Sequence, residues 1–215
     1  MIRQLLRTCA VLLVGLSLVL PVTPALAQVV INEIDYDQPG TDNEEFIELK
    51  NKGLLDVNLD VYTIELINGS GGTVYATIDL PNVMLPAGDY YVLCVSTVGV
   101  PNCDLDVSPD SQLIQNGAPD GMVLKQAGSV IDAVSYEGDT ASATEGTGLA
   151  VMDDGISMLQ GISRYPDGVD THVNSADLSL RCATPGAPNS PLSSDCAQTV
   201  TVRPVTWQSV KVLFR

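Results

Sequence analysis

Apolar and polar side chains alternate with a period of two along much of the chain. In Glu45-Phe46-Ile47-Glu48-Leu49-Lys50, Ile47 and Leu49 share one face while Glu48 and Lys50 share the other. Tyr62, Ile64 and Leu66 repeat the pattern. The loop Asn68-Gly69-Ser70-Gly71-Gly72 follows, and its glycines admit positive φ. Val74, Ala76, Ile78 and Leu80 then alternate with Thr73, Tyr75, Thr77 and Asp79, so pattern and turn chemistry together predict a hairpin. Pro86-Ala87-Gly88-Asp89 reads as a turn into a strand over 90–95. Further strands are expected near 28–34, at 122–125 and at 130–136, the last two joined by Gln126-Ala127-Gly128-Ser129. Seven or so short strands between Gly, Pro and Asn turns imply an all-β sandwich. No amphipathic helix is visible before residue 200, and 104–120, 138–154 and the stretch after Ala183 read as loop or coil.

The amino terminus departs from this pattern. Arg3 and Arg7 precede an unbroken apolar run from Ala10 to Leu20, Pro21 and Pro24 break it, and Ala25-Leu26-Ala27 supplies a small-x-small cleavage pattern. Residues 1–27 therefore read as a cleaved signal peptide, and the expected location is secreted or cell-surface. No apolar run reaches the roughly 20 residues of a transmembrane helix. The expected layout is 1–27 signal peptide, 28–190 β-sandwich domain and 191–215 C-terminal tail. The chain of 215 residues carries 10 Lys plus Arg against 26 Asp plus Glu, a net charge of −16. Losing Arg3 and Arg7 with the leader leaves 8 cations against the same 26 acids, or −18. Such a balance argues against nucleic acid as a partner, because phosphate contacts need clustered cations. Bound divalent cations would relieve the self-repulsion. Four cysteines remain after the leader and permit three pairings; the sequence-near one, Cys94–Cys103 and Cys182–Cys196, is expected, since it closes two short loops. Neither spacing is a zinc spacing, and the chain has one histidine.

The run Glu45-Phe46-Ile47-Glu48-Leu49-Lys50-Asn51-Lys52-Gly53, with Asp60-Val61-Tyr62-Thr63-Ile64, Leu85-Pro86-Ala87-Gly88-Asp89-Tyr90-Tyr91-Val92 and Val130-Ile131-Asp132-Ala133-Val134-Ser135-Tyr136, resembles a lamin tail domain. Asn32-Glu33, the segment 163–171, Asn174-Ser175-Ala176-Asp177 and the segment 184–189 are similar to the bacterial, secreted branch of that family. The resemblance spans roughly residues 28–190. It implies an immunoglobulin-like β-sandwich, found in exported proteins alone or beside secreted nucleases and other hydrolases. It brings no shared catalytic residues. No heptad rod is present, so a filament role does not transfer.

The chemistry legible in the residues is sparse. His172, the single histidine, lies in the polar stretch Asp170-Thr171-His172-Val173-Asn174 and reads as a solvated loop residue. Gly161-Ile162-Ser163-Arg164-Tyr165 lacks the second glycine of a nucleophile elbow. No phosphate-cradling loop occurs. Calcium is the sharper expectation: Asp167, Asp170, Asn174 and Asp177 offer oxygens within one segment, and Asp35, Asp37, Asp42 and Glu44 form a second acidic cluster. Neither has EF-hand spacing. Arg164, among so many acids, reads as an ion-pair anchor. Tyr36, Tyr62, Tyr75, Tyr90, Tyr91 and Tyr136 read as packing residues. In the tail, Trp207, Val210 and Phe214 align on one helical face after Thr206, or belong to a final strand; with three local cations the tail is expected to dock on the acidic domain, its rival roles being a sorting signal or contact with the envelope. The expectation is a non-catalytic interaction or structural module with a protein or cell-surface partner. Its rivals are an accessory to a secreted hydrolase or nuclease, a weak hydrolase, and a cation-dependent surface adhesin.

Overall fold

The computed structural model describes residues 29–153 and 160–196. The leader 1–27 and the tail segment with Trp207, Val210 and Phe214 lie outside the described residues. Among the described residues no helix is long and apolar enough to cross a membrane.

Two sheets face each other across one apolar layer. The larger is built from β1 (Val29–Asp35), β2 (Phe46–Asn51), β7 (Tyr90–Cys94), β8 (Leu105–Asp106), β11 (Gln160–Arg164) and β12 (Leu178–Cys182), in the order β12-β11-β1-β2-β7-β8. The smaller has β4 (Tyr62–Asn68), β5 (Thr73–Asp79), β9 (Asp120–Gln126) and β10 (Ser129–Tyr136), in the order β10-β9-β4-β5. A ribbon of β3 (Val57–Asn58) and β6 (Met84–Leu85) sits apart from both. The expected hairpin is present as β4–β5, with Ile64 opposite Ile78 and Leu66 opposite Ala76. The expected pair β9–β10 turns at the predicted four residues. Beyond the expected strands, β11 and β12 stand at the two ends of 160–182. A one-turn helix, α1 (Asn174–Asp177), joins them, short enough to leave no periodic signature.

The larger sheet buries Ile31, Ile34, Ile47, Leu49, Leu93 and Ile162 against Tyr62, Ile64, Leu66, Met122, Leu124 and Tyr136 of the smaller. The core residues Val29, Ile31 and Ile34 of the first strand and Tyr36 just after it are spaced two, three and two apart. A bulge between Ile31 and Glu33 accounts for the odd step, because an extra residue shifts which side chains face inward. Glu33 is thereby turned away from the core. Its carboxylate accepts the amide of Thr184, at 3.0 Å to Oε2, and Glu48 Oε2 accepts the amide of Gly186 at 2.6 Å. The segment after Ala183, expected as coil, is thus a strap laid over the outer face of β1 and β2, and it buries both glutamates completely. Burial, then the neighbouring Glu48 charge, pushes the Glu33 carboxyl well above its ordinary range.

Two disulfides join Cys94 to Cys103 and Cys182 to Cys196, with Cα atoms 5.8 and 5.2 Å apart. Both have the sequence-near pairing. The second ties the end of the strap to β12. Tyr36, Tyr62, Tyr90, Tyr91 and Tyr136 are buried and Tyr75 partly so, which fits their reading as packing residues.

Candidate functional site

The polar side chains gather where β11 hands the chain to the loop before α1. Arg164, the last residue of β11, is completely buried. Its Nε donates to the Ile31 carbonyl at 2.8 Å, and Nη1 donates to Val169 O at 2.9 Å and Asp177 Oδ2 at 3.2 Å. Nη2 donates to Asp132 Oδ1 at 2.7 Å. Asp170 Oδ1 stands 3.8 Å from Nη1. A fixed guanidinium fork suits several acceptors at once, which a lysine could not match. Asp132, on β10 of the opposite sheet, also receives the Ile31 amide at 2.6 Å, so one arginine–aspartate pair bridges the sandwich. Burial pushes the Asp132 carboxyl up to about 7 against the pull of Arg164.

The four residues expected to hold calcium are engaged by protein donors. Asp167 accepts Lys50 Nζ and Tyr90 OH, each at 2.7 Å, together with Asn32 Nδ2 and the Asn189 amide. Asp170 Oδ2 takes Lys52 Nζ at 3.0 Å. Burial opposes ionisation of Asp170, yet the hydrogen bond from Lys52, the His172 amide and Arg164 outweigh it and hold the carboxyl below its ordinary range. Asn174 spends its amide on Ser135 N, Glu145 N and Ala133 O, stitching β10 to the loop. Asp177 binds Arg164 and Thr171. Arg164 therefore supplies a positive charge among Asp132, Asp170 and Asp177. The second cluster is also internal: Asp35 accepts Gln38 Nε2 at 2.6 Å, and Asp42 accepts the Gln38 amide and Asn116 Nδ2. Glu44 donates its amide to Gln38 Oε1, and Asp37 is half-buried.

Spatial folding adds one residue that linear reading missed. Glu145 Oε1 lies 3.4 Å from His172 Nδ1, which is 3.6 Å from Asp170 Oδ1. Asn174 positions this trio, because its Oδ1 accepts the Glu145 amide and its own amide donates to Glu145 O at 3.0 Å. His172 has φ of +59°, a left-handed turn that places its amide on Asp170 Oδ1. The hydrogen bond with Glu145 and the Asp170 charge raise the imidazole pKa, and burial raises that of Glu145. Only the Asp-x-His spacing was readable in the sequence; Glu145 is 27 residues from the histidine.

An apolar patch lies around the β3–β6 ribbon. Leu54, Leu55, Val83 and Met84 are 77, 57, 38 and 55 % exposed. Asn51 gathers this region: its Nδ2 donates to the carbonyls of Leu55, Leu85 and Pro86. Val83 O accepts the Leu59 amide, and Met84 pairs with Asn58.

Two facing antiparallel-rich sheets closed over one core make this an immunoglobulin-like β-sandwich, a class that fixes no activity. The family model of the lamin tail domain matches residues 23–138, just over half of the chain, and the chain belongs to that family. The match spans the chain through β10 and stops before β11, α1, β12 and the strap, so Arg164 and His172 lie beyond it. No curated protein matches the chain.

Proposed function

We propose that the chain is an exported, non-catalytic interaction module that binds a protein partner at or outside the cell surface. The observation that carries this reading is the exposed patch of Leu54, Leu55, Val83 and Met84. Large apolar side chains grouped on an acidic surface are characteristic of contact sites. The partner fitting it has an apolar centre and a basic rim. Residues 29–196 hold all 26 acids but only five of the cations. Lys50, Lys52, Lys125 and Arg164 are committed to internal ion pairs. The leader pattern of residues 1–27 and the two disulfides support export, since disulfides persist in oxidising compartments.

The test compares binding of the purified chain and of its Leu55→Asp/Met84→Asp variant to envelope and culture-fluid proteins of the producing cell, titrated to saturation. The expected result is saturable binding that weakens at least tenfold in the variant, with unchanged circular dichroism. Equal binding by both chains removes the patch from the reading. Turnover of nucleic acid, polysaccharide or ester substrates that is lost on His172→Asn overturns the non-catalytic part.

A further inference from the structure

We propose that Glu145, Asp170 and His172 form a binding site for one first-row divalent cation, with zinc the best-matched ion. Their ligand atoms, two carboxylate oxygens and one imidazole nitrogen, all lie within 4.8 Å of one another. In a tetrahedral zinc site with bonds of about 2.0–2.1 Å, neighbouring ligand atoms stand about 3.3 Å apart. The two distances to His172 Nδ1, 3.4 and 3.6 Å, therefore need adjustments of only tenths of an ångström. The donor set selects the class of ion. Calcium and magnesium take oxygen ligands, whereas imidazole suits zinc and its transition-metal neighbours. With one atom from each residue a fourth position remains, which the second oxygen of Glu145, water or a donor from a partner can fill.

A second observation points the same way. Glu145 Oε2 is buried and has no hydrogen-bond partner among the described residues. A buried carboxylate oxygen without a donor is costly, and an ion held by both oxygens of Glu145 would satisfy it. The imidazole is 69 % exposed, so an ion from solution reaches it directly. The second shell is already in place: Asn174 holds the Glu145 backbone, while Lys52 and Arg164 hold Asp170. Those two cations share the charge of Asp170 and moderate the affinity. An imidazole must shed its second proton to bind an ion, so acid weakens binding. The site stands independently of the apolar patch, and neither reading depends on the other.

Isothermal titration of the purified chain, carrying no polyhistidine tag, with zinc chloride at pH 7.5 tests the proposal. The expected result is one ion per chain, a higher melting temperature with zinc that chelator reverses, and weaker binding at pH 5.5. His172→Asn keeps a residue type that tolerates the left-handed backbone, and it should weaken binding at least tenfold while the metal-free melting temperature stays within about 2 °C. Glu145→Gln should also weaken binding at least tenfold. Calcium and magnesium should produce no response that depends on His172. Absence of binding below millimolar zinc, equal zinc affinity in His172→Asn, or calcium binding as tight as zinc would each overturn the assignment.

Discussion

Replacing Arg164 by methionine removes one guanidinium from a site with no water access and leaves Asp132, Asp170 and Asp177 without it. Breaking a buried ion pair from one side costs about 3–5 kcal/mol, because the surviving charge is stranded. The carbonyls of Ile31 and Val169 lose donors as well, while methionine keeps much of the apolar packing; we expect a net loss of about 4 kcal/mol at pH 7.5. Asp132 supplies an internal control. Its carboxyl is already pushed up to about 7, so at pH 5 it is neutral in both proteins and its share of the stranded charge disappears, while Asp170, held low, stays ionised. The loss should then shrink to about 2 kcal/mol. Adding Asp132→Asn to Arg164→Met should recover about 1–2 kcal/mol at pH 7.5. Urea unfolding followed by circular dichroism, at both pH values and with disulfides intact, measures all three quantities. A loss below about 1 kcal/mol at pH 7.5, or the same loss at both pH values, would refute the view that Arg164 is the electrostatic bridge between the sheets.

The remaining expectations concern titration, cross-links and packing. Burial raises the carboxyls of Glu33 and Asp35 well above their ordinary range and brings Glu45 to about 7. Such groups hold protons more readily folded than unfolded, so stability declines as pH rises from about 5 to 8. Asp167 and Asp170 are held low, so their contribution is lost below about pH 4. A thermal scan should therefore peak near pH 5; Glu45→Gln, which removes up to about 3 kcal/mol of this dependence, should flatten the decline. Reducing Cys94–Cys103, which closes a loop with a sequence separation of 9, should cost about 2–3 kcal/mol, measured as a lower urea midpoint of Cys94→Ala/Cys103→Ala. A Cβ at Gly121 would meet Ala143 Cβ at 2.7 Å and Val134 O at 2.8 Å, so Gly121→Ala should destabilise by about 1–3 kcal/mol in the same assay.

Strands whose inward and outward residues alternate cleanly could be read from the chain. β4 and β5 place Ile64 and Leu66 opposite Ile78 and Ala76, and the glycine-rich turn between them leaves little choice of register. Both cysteine pairings are the sequence-near ones favoured among the three that four cysteines permit. Arg164 as an ion-pair anchor was also legible, because a lone arginine among acids has few other roles. Four features escaped for identifiable reasons. The bulge at Ile31–Glu33 interrupts the alternation, so the sequence does not reveal that Glu33 leaves the core side. β11 begins Gln160-Gly161 and β12 contains Ser179 and Arg181, too polar at alternate ends to stand out beside loops. The segment 167–177 is rich in calcium-type oxygens, but ligand type says nothing about competing donors. Lys50 and Lys52, distant in sequence, and the nearby Arg164 reach three of those oxygen-bearing residues. Glu145 was invisible as a neighbour of His172 because the fold, not spacing, brings them together.

The position of β1 governs the order in which this molecule can assemble. The earliest described strand lies at the middle of the larger sheet, with β2 on one side and β11 on the other. Ile34 waits for Ile162, and the amide of Thr184 arrives later still to cap Glu33. A polypeptide delivered amino end first must therefore carry an open strand flank and uncovered carboxylates until nearly its whole length has emerged. Partner strands so distant along the chain make closure slow, and the waiting flank is the place where two nascent copies would mispair.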